Sequence, residues 1–292
     1  MIPPGARERY VTVPAGRLRV LYGGDTRPDR RPLMLVHGGG SDNAAISWYR
    51  LFAPLVRDHE VWAVDLPGFG GSVEAPPVGG PRAMAATLAS ILDELGISKA
   101  VVFGVSMGGD VALNLALDHP DHVAGLVLIA PGGLMPTLGG PIKQRGAWLM
   151  AQAPDWLLLP AARLASRFVR PAVRAMVKDP STIPAELVEE FAREARHPLG
   201  GIAYGRYNQA TLGRTGMRND LSDRVAEIMV PALFFHGEDD PLVDPHGSHR
   251  ASQAMPNARI HLVPDCGHWA QLEAHELFLE KVRPFLAGIS VR

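Results

Sequence analysis

The sequence predicts an α/β fold in which a mostly parallel, doubly wound sheet is flanked by helices and interrupted once by an inserted helical segment. Short runs that are apolar on both faces recur along the chain and end in glycine- or proline-rich turns, as strands of a buried parallel sheet do. Segments with helical periodicity separate these runs. The alternation stops between residues 134 and 224 and then resumes.

Each predicted element follows from its local pattern. The candidate buried strands are Leu33–Val36, Val61–Val64, Ala100–Phe103, Val123–Ile129, Ala232–Phe235 and Arg259–Val263. Before them, Tyr10–Val13 and Leu18–Tyr22 flank a Pro-Ala-Gly-Arg turn, which predicts a hairpin. The helices expected beside the sheet are Arg82–Leu95, Met107–Leu117 and one near His275–Phe285.

The interruption predicts a helical lid over residues 134–224, inserted into a core formed by residues 1–133 and 225–292. The helices expected within it are Ile142–Ala151, Trp156–Phe168 and Pro184–Arg196. The insertion has 13 basic and 8 acidic residues. Such an excess of basic residues is typical of solvated helix faces, and the alternative interpretation is that it attracts anions. Its large apolar side chains predict an apolar pocket beneath it, the candidates being Trp148, Met150, Trp156, Leu157 and Phe168.

Composition argues against several classes of protein. The 29 basic and 30 acidic side chains nearly cancel, so there is no surplus of positive charge for a nucleic acid. The single cysteine, Cys266, excludes an intramolecular disulfide and a zinc site with several cysteines. No run of about 18 apolar residues predicts a membrane span, and the start of the chain has no apolar leader. We expect a cytoplasmic protein whose oligomeric state the sequence leaves open.

The segment Gly104-Val105-Ser106-Met107-Gly108 indicates chemistry most directly. It follows a predicted buried strand and opens a predicted helix, which places a serine on a tight strand-to-helix turn. The glycines at 104 and 108 are expected because a Cβ atom there would collide with neighbouring backbone. The start of the helix offers N–H groups and partial positive charge where an oxyanion would form. Ser106 is therefore the candidate nucleophile.

A serine nucleophile needs a base and an acid that orients the base, and the ends of two later strands supply both. The strand at 232–235 leads to Asp240, and the strand at 259–263 leads to His268. His268 would accept the proton of Ser106 while Asp240 holds the required tautomer of the imidazole. Other carboxylates lie close enough in sequence to compete for the acid role: Glu238, Asp239, Asp244 and Asp265.

Two backbone N–H groups are needed where negative charge develops on a substrate carbonyl oxygen. Met107, which follows the candidate nucleophile, would supply one of them. The other is expected from the glycine-rich loop after the strand at 33–36, with Gly39 favoured and Gly40 as the alternative. His37 is expected to brace this loop. The candidate pocket residues are Gly40, Trp148, Trp156 and Trp269.

These residues resemble the signature of the α/β-hydrolase superfamily over nearly the whole chain. The superfamily has the same order of serine, acid and histidine, and the turn at 65–70 resembles its Asp-x-Pro-Gly-x-Gly motif. Pro131 follows the strand after which members enter a lid. The resemblance implies an α/β-hydrolase fold and a serine hydrolase without metal or organic cofactor. Its partner would be a small-molecule substrate with an apolar acyl or aromatic group, and neither a nucleic acid nor a membrane.

One branch is similar in more detail, namely the meta-cleavage product hydrolases, which cut carbon–carbon bonds in ring-fission products. The similar segments are 37–40, 106–109, 112–118 and 266–273. The chain departs from the branch at Val105, where the branch has Asn, and at Ser41-Asp42, where it has Pro-Gly. Our leading hypothesis is cleavage of a carboxylic ester through an acyl-enzyme, and carbon–carbon hydrolysis is the alternative. A third hypothesis is a non-catalytic receptor or a non-hydrolytic biosynthetic enzyme on the same fold.

Overall fold

The computed structural model describes residues 1–289, and within them it leaves out the side chains of 159, 161–163, 165 and 166. Eight strands form one sheet in the order β1-β2-β4-β3-β5-β6-β7-β8. Their bounds are β1 Arg7–Val13, β2 Gly16–Gly23, β3 Leu33–Val36, β4 Val61–Val64, β5 Ala100–Val105, β6 Val123–Ile129, β7 Ala232–Gly237 and β8 Ala258–Val263. The α/β prediction is confirmed. All the predicted strands are present, and each ends within two residues of its predicted carboxyl end.

The sheet is parallel from β4 to β8 and antiparallel at one edge. The predicted hairpin pairs β1 with β2, and β2 then runs antiparallel to β4. The remaining pairs are all parallel. Because β3 lies between β4 and β5, the chain winds in opposite directions from this strand. Ligands of such sheets bind outside the carboxyl ends of the strands near that point.

Helices cover both faces of the sheet, which explains why its strands are apolar on both sides. One face packs against α3 (Pro81–Glu94), α4 (Met107–Asp118) and α10 (Pro245–Ala254). The other packs against α1 (Ala44–Ser47), α2 (Tyr49–Leu55), α11 (Ala270–Glu273) and α12 (His275–Ala287). Strand residues alternate between the two cores: Met34 and Val36 face α4, whereas Leu33 and Leu35 face α2.

The segment between β6 and β7 contains no strand of the sheet. Its helices are α5 Pro141–Ala151, α6 Asp155–Ala165, α7 Val169–Ala175, α8 Ala185–Arg196 and α9 Ile202–Thr211. The sequence pattern predicted α5, α6 and α8 but missed α7 and α9. Residues 290–292, which the predicted core includes, lie outside the described residues. Between residues 1 and 289, no helix has both the length and the apolar character that a membrane span requires.

Candidate active site

Ser106 occupies a strained turn between β5 and α4. Its backbone has φ +53° and ψ −116°, a region that residues with a side chain rarely adopt and that costs roughly 1–3 kcal/mol. The Ser106 N–H donates to Ile129 O at 3.0 Å, and its carbonyl accepts from Gly132 N at 2.8 Å. These two hydrogen bonds therefore fix the turn to the end of the neighbouring strand β6 and to the residues that follow it. Ser106 is half-buried and lines a cavity at the carboxyl edge of the sheet.

Close packing around this turn explains its glycines. A Cβ atom on Gly108 would overlap the carbonyl oxygens of Val36 and His37, and one on Gly104 would overlap backbone atoms of Gly108. The first turn of α4 thus lies directly against the end of β3. The predicted crowding at positions 104 and 108 is confirmed. This contact brings the N–H group of Met107 to the same edge of the sheet as the loop after β3.

Asp240 and His268 meet beyond the ends of β7 and β8. The His268 Nδ1 atom lies 2.7 Å from Asp240 Oδ2, and both side chains are almost completely buried. Asp240 Oδ1 also accepts from the backbone N–H groups of Leu242 and Val243, at 2.7 and 3.0 Å. The carboxylate is therefore fixed in the turn and orients the imidazole.

A second buried histidine, His236, shares the same carboxylate oxygen, although no role was predicted for it from the sequence. His236 Nε2 lies 3.1 Å from Asp240 Oδ2, and His236 Nδ1 lies 2.8 Å from Ser248 Oγ. Burial raises the pKa of Asp240, but the hydrogen bonds from His236 and His268 outweigh burial and hold the pKa well below its usual value. Asp240 is thus ionised across the neutral pH range. The position of His236 at the end of β7, four residues before Asp240, was the signal that could have identified it.

The competing carboxylates have other partners or face solvent. Asp239 Oδ2 lies 3.3 Å from Lys178 Nζ, and Asp244 caps α10 by accepting from the His246 N–H. Asp265 is exposed on a turn with φ +50°, and Glu238 is exposed as well. Among these five acids, Asp240 is the one whose hydrogen bond reaches His268.

The loop that carries His268 is tied to the segment before β7. The His268 N–H donates to Met176 O at 2.7 Å. Glu273 accepts from Gly267 N through one oxygen and from Lys178 N and Asp179 N through the other, each at 2.8 Å. The described contacts include no hydrogen bond between His268 and Ser106. In unliganded hydrolases such a bond is often long and tightens when substrate binds.

The glycine-rich loop after β3 is braced by buried polar groups. Asp42 Oδ2 accepts from Gly38 N at 2.9 Å and from Ser47 Oγ at 2.6 Å. His37 is fully buried, and its Nε2 accepts from Leu66 N at 3.1 Å while its Nδ1 lies 2.7 Å from Gly38 O. These bonds hold the loop next to Ser106, since a Cβ atom on Gly38 would lie 3.6 Å from the Ser106 Cβ atom.

We expect the substitution Asp42→Ala to lower kcat by up to about a hundredfold while KM changes little. Loss of the carboxylate frees the Gly38 N–H and loosens the loop whose N–H groups would face a developing oxyanion. Steady-state kinetics on a chromogenic ester measures both constants. The variant Asp42→Asn keeps one accepting oxygen and is expected to lose less. A large rise in KM with unchanged kcat would contradict this role for Asp42.

A cavity of about 470 Å³ opens beside Ser106. Its walls are mostly apolar side chains from the segment between β6 and β7 and from the turn after β7. Among the described side chains, its lining includes no Asp, Glu, Lys, Arg or His. The apolar lining residues are Met107, Met135, Leu138, Ala147, Met150, Ala151, Leu158, Leu212, Met217, Leu242 and Val243. The cavity therefore suits an uncharged, largely apolar group.

The predicted pocket residues agree only in part with the residues that line this cavity. Met150 lines it, but Gly40, Trp148, Trp156 and Trp269 are not among the described lining residues. Trp156 faces solvent with 76% of its surface exposed, and Trp269 is buried against Phe191 in the core beside α12. Tyr204, which was not among the predicted pocket residues, lines the cavity and packs against the glycine-rich loop after β3, where a Cβ atom on Gly39 would overlap its ring.

Four buried polar side chains form a cluster, which we call the Asp110 cluster: Asp110, Asn114, Tyr207 and Asn219. Tyr207 and Asn219 also contribute to the lining of the cavity. Asp110 Oδ2 accepts from Tyr207 OH at 2.7 Å and from Asn219 Nδ2 at 2.5 Å, and its Oδ1 accepts from Asn114 Nδ2 at 3.0 Å. Burial raises the pKa of Asp110 to about 7, although hydrogen bonds from these three partners lower it.

The raised pKa of Asp110 predicts a pH-dependent stability. Between pH 3.8 and about 7 the folded state keeps a proton on Asp110 that the unfolded state has released. This group therefore makes folding less favourable as pH rises through that window, by up to about 1.4 kcal/mol per pH unit. Asp110→Asn should remove this slope. Urea unfolding of both proteins from pH 4 to 8 measures it, and parallel stability curves would contradict the assignment.

Comparison with known proteins identifies the family of this chain. The family model described as alpha/beta hydrolase fold matches residues 31–275. The chain belongs to the α/β-hydrolase family.

Curated relatives of this α/β hydrolase cover nearly its whole length. The chain is 30% identical over 264 residues to 2-hydroxy-6-oxo-6-phenylhexa-2,4-dienoate hydrolase of Burkholderia cepacia, covering 88% of this chain and 87% of the relative. It is 32% identical over 290 residues to 2-hydroxy-6-oxononadienedioate/2-hydroxy-6-oxononatrienedioate hydrolase of Burkholderia vietnamiensis, covering 96% of each chain. The predicted similarity to the meta-cleavage branch is therefore confirmed.

A solved structure of the same branch shares the fold of this α/β hydrolase. The 2-hydroxy-6-oxo-6-phenylhexa-2,4-dienoate hydrolase of a Rhodococcus species superposes with a TM-score of 0.75 at 23% identity, covering 96% of this chain and 99% of that one. At this level of identity, the likeness concerns the fold alone. The comparisons thus establish a hydrolase of this family.

Proposed function

We propose that the protein is a serine hydrolase in which Ser106 attacks a substrate carbonyl, His268 transfers the protons and Asp240 orients His268. The strained turn that presents Ser106 to an apolar cavity carries this proposal. A backbone outlier in a pocket is a frequent mark of a reactive residue. The buried Asp240–His268 hydrogen bond supports it, since the ends of β7 and β8 reach the same edge as Ser106.

The proposed oxyanion site consists of the N–H groups of Met107 and Gly39. Met107 begins α4, so its N–H has no acceptor within the helix, and the partial positive charge of the helix start favours an anion there. Gly39 belongs to the loop that Asp42 and His37 brace. Gly40 remains the alternative donor in that loop. Two such donors would stabilise the tetrahedral intermediate formed when Ser106 Oγ adds to the carbonyl carbon.

Hydrolysis of a carbon–carbon bond beside a ketone is the reaction that we propose first. Two relatives, matched over 87% and 96% of their own length, are named 2-hydroxy-6-oxo-6-phenylhexa-2,4-dienoate hydrolase and 2-hydroxy-6-oxononadienedioate/2-hydroxy-6-oxononatrienedioate hydrolase. In this reaction Ser106 adds to the ketone, and the bond to the neighbouring carbon breaks. His268 returns the proton to the departing carbon, whose electron pair the conjugated system delocalises. Water activated by His268 then releases the acyl group from Ser106.

Ester hydrolysis is the second candidate, and two observations favour it. A dienoate substrate carries a carboxylate, whereas the described lining of the cavity offers no cationic side chain to pair with one. Ester cleavage requires the same attack on a carbonyl carbon, with an alcohol as the leaving group and no carboxylate to bind. Val105, in place of the Asn of the meta-cleavage branch, also removes a polar side chain beside the nucleophile.

A direct comparison of two substrates tests the choice between these reactions. The purified protein is assayed with 2-hydroxy-6-oxo-6-phenylhexa-2,4-dienoate and with p-nitrophenyl butyrate, and Ser106→Ala serves as the control for both. Carbon–carbon hydrolysis predicts a higher kcat/KM for the dienoate. Ester turnover without dienoate turnover would transfer the assignment to the second candidate. Turnover of neither, together with inertness toward a fluorophosphonate, would favour a non-catalytic role.

The apolar lining predicts how ester rates depend on acyl length. We expect kcat/KM for p-nitrophenyl esters to rise by about three- to fourfold per methylene from acetate to hexanoate, because each buried methylene contributes about 0.8 kcal/mol. Initial rates at low substrate concentration measure the ratio directly. Values that fall steadily from acetate onward would show that the acyl group does not enter this cavity.

A further inference from the structure

His236 is a buried titratable side chain that the proposed reaction does not use. It lies in β7, one residue before the end of the strand, and it is fully buried. Its Nε2 atom lies 3.1 Å from Asp240 Oδ2 and 3.1 Å from Val243 O, while its Nδ1 atom lies 2.8 Å from Ser248 Oγ. Both ring nitrogens are therefore engaged, and the ring is fixed between the turn after β7 and helix α10.

The partners of His236 decide which ring nitrogen carries a proton. Val243 O is a carbonyl oxygen and Asp240 is ionised, so both can only accept hydrogen bonds. Nε2 therefore bears the hydrogen that it shares between them. The Ser248 hydroxyl can donate to Nδ1, because a hydroxyl both donates and accepts. His236 thus presents a fixed donor to Asp240.

Two imidazole N–H groups meet on one oxygen of Asp240. His268 Nδ1 lies 2.7 Å from Asp240 Oδ2, on the same oxygen that His236 Nε2 approaches. The other oxygen is occupied by the backbone N–H groups of Leu242 and Val243. Each hydrogen bond draws on the negative charge of the oxygen that accepts it. The bond from His236 therefore weakens the attraction between Asp240 and a positive charge on His268.

We propose that His236 is a positioning residue whose Nε2–H holds Asp240 Oδ2 beside His268 and limits how strongly that oxygen stabilises the imidazolium form of His268. The inference rests on the proposed function, because it takes His268 as the base. Without the donor from His236, the charge of Oδ2 would act on His268 alone, and His268 would stay protonated to higher pH. A protonated His268 cannot accept the Ser106 proton, so His236 keeps the base available near neutral pH.

Other titratable groups surround these three side chains. They are Lys178 before β7, Glu238 and Asp239 in the turn after it, Asp265, Cys266 and Glu273 near His268, and Asp244, His246, His249 and Arg250 at α10. Burial raises the pKa of Cys266 to about 12, so its thiol is uncharged over the neutral pH range. His246 and His249 are exposed, and water and salt screen their charges. Asp240 is therefore the group through which a change at His236 reaches His268.

The pH profile of kcat/KM on the better of the two substrates tests the proposal, because its acidic limb reports protonation of the base in the free enzyme. We expect His236→Leu to move this limb to higher pH by about 0.5–1 unit and to lower the maximal kcat about three- to tenfold, with KM nearly unchanged. His236→Gln keeps an N–H group at the position of Nε2 and should leave the limb in place. A purely structural loss would lower kcat at every pH without moving the limb.

NMR gives a second readout that needs no turnover. In Ser106→Ala protein labelled with nitrogen-15 histidine, the ring signals of His268 are assigned by their loss in His268→Ala and are followed as pH changes. We expect the midpoint of their titration to rise by about 0.5–1 unit when His236→Leu is added and to stay in place with His236→Gln.

Two further variants guard against a fold that fails with leucine. His236→Asn keeps a polar group beside Ser248 but is too short to reach Asp240, so its limb should move as in His236→Leu. Ser248→Ala leaves His236 in place and should move the limb less. His249→Leu, an exposed change on α10, is the matched control and should not move it. Thermal unfolding monitors each variant.

The outcomes separate this inference from the proposed function. An unmoved limb in both His236→Leu and His236→Asn, a shift to lower pH, or an equal shift in His236→Gln would overturn the role of His236. The roles of Ser106 and Asp240 would then be untouched. Conversely, substantial turnover by Ser106→Ala would overturn the proposed chemistry, while the NMR midpoint of His268 would still decide whether His236 acts on it.

Discussion

Ser106→Ala should lower kcat by roughly four to six orders of magnitude with little change in the free energy of unfolding. The change removes the oxygen that would form the covalent bond to substrate, and loss of such a nucleophile disables the whole catalytic unit. Stability should persist because the backbone hydrogen bonds of Ser106 to Ile129 O and from Gly132 N do not involve the side chain.

Steady-state kinetics on the better of the two substrates, together with thermal unfolding, measures both parts of this result. Labelling by a fluorophosphonate provides a second readout, since the wild-type protein should react and the variant should not. Retention of more than about a tenth of the wild-type kcat would show that Ser106 is not the nucleophile.

Asp240→Asn should lower kcat on the order of 10⁴-fold, far more than Asp239→Asn. The amide can still accept from the Leu242 and Val243 N–H groups through its oxygen. Its NH₂ group would then face His236 and His268 in place of the shared carboxylate oxygen. A donor at that position favours the tautomer of His268 that cannot accept the Ser106 proton.

Asp239→Asn is the matched control because Asp239 is adjacent, exposed and paired with Lys178 at the surface. We expect its kcat to stay within about twofold of the wild-type value, as exposed ion pairs contribute little. If Asp239→Asn were the inactive variant and Asp240→Asn active, the acid would have been placed one residue too far along the chain.

Strand positions could be predicted closely from the sequence because both faces of this sheet are buried. Val61–Val64 and Val123–Ile129 begin and end where their apolar runs do, since each residue must face one of the two cores. The turn at Ser106 was equally predictable, because its glycines form a recognisable pattern between a buried strand and a helix. The backbone that crowds Gly108 nevertheless belongs to the end of β3, far away in sequence.

Helices between β6 and β7 were harder to predict for two physical reasons. Helix α9 has weak amphipathicity and contains Gly205, so its sequence lacks the periodic stripe of a surface helix. Helix α7 is seven residues long and contains Pro171, and its burial comes from packing against α8. Both helices are stabilised by contacts with distant parts of the chain, and the pattern of their own residues does not reveal such contacts.

The pocket depends on contacts that sequence proximity cannot indicate. Tyr207 and Asn219 meet Asp110 across separations of 97 and 109 residues. The size of Trp156 suggested a pocket residue, but size carries no direction, and its side chain points to solvent. His236 was visible at a strand end, yet its link to Asp240 became apparent only when the turn after β7 was seen.

The hydrogen bonds from the His268 loop to residues 176–179 restrict how this protein could be recombined with its relatives. Glu273 and Met176 O join the proposed base to the segment between β6 and β7. A chimera that exchanges this segment alone would therefore replace residues 176–179, and the His268 loop would then pack against residues from another protein. Exchange of 134–224 together with 266–273 would move both sides of that contact as one module. Experiments that recombine this protein with its relatives to obtain new substrates should therefore exchange residues 134–224 and 266–273 together.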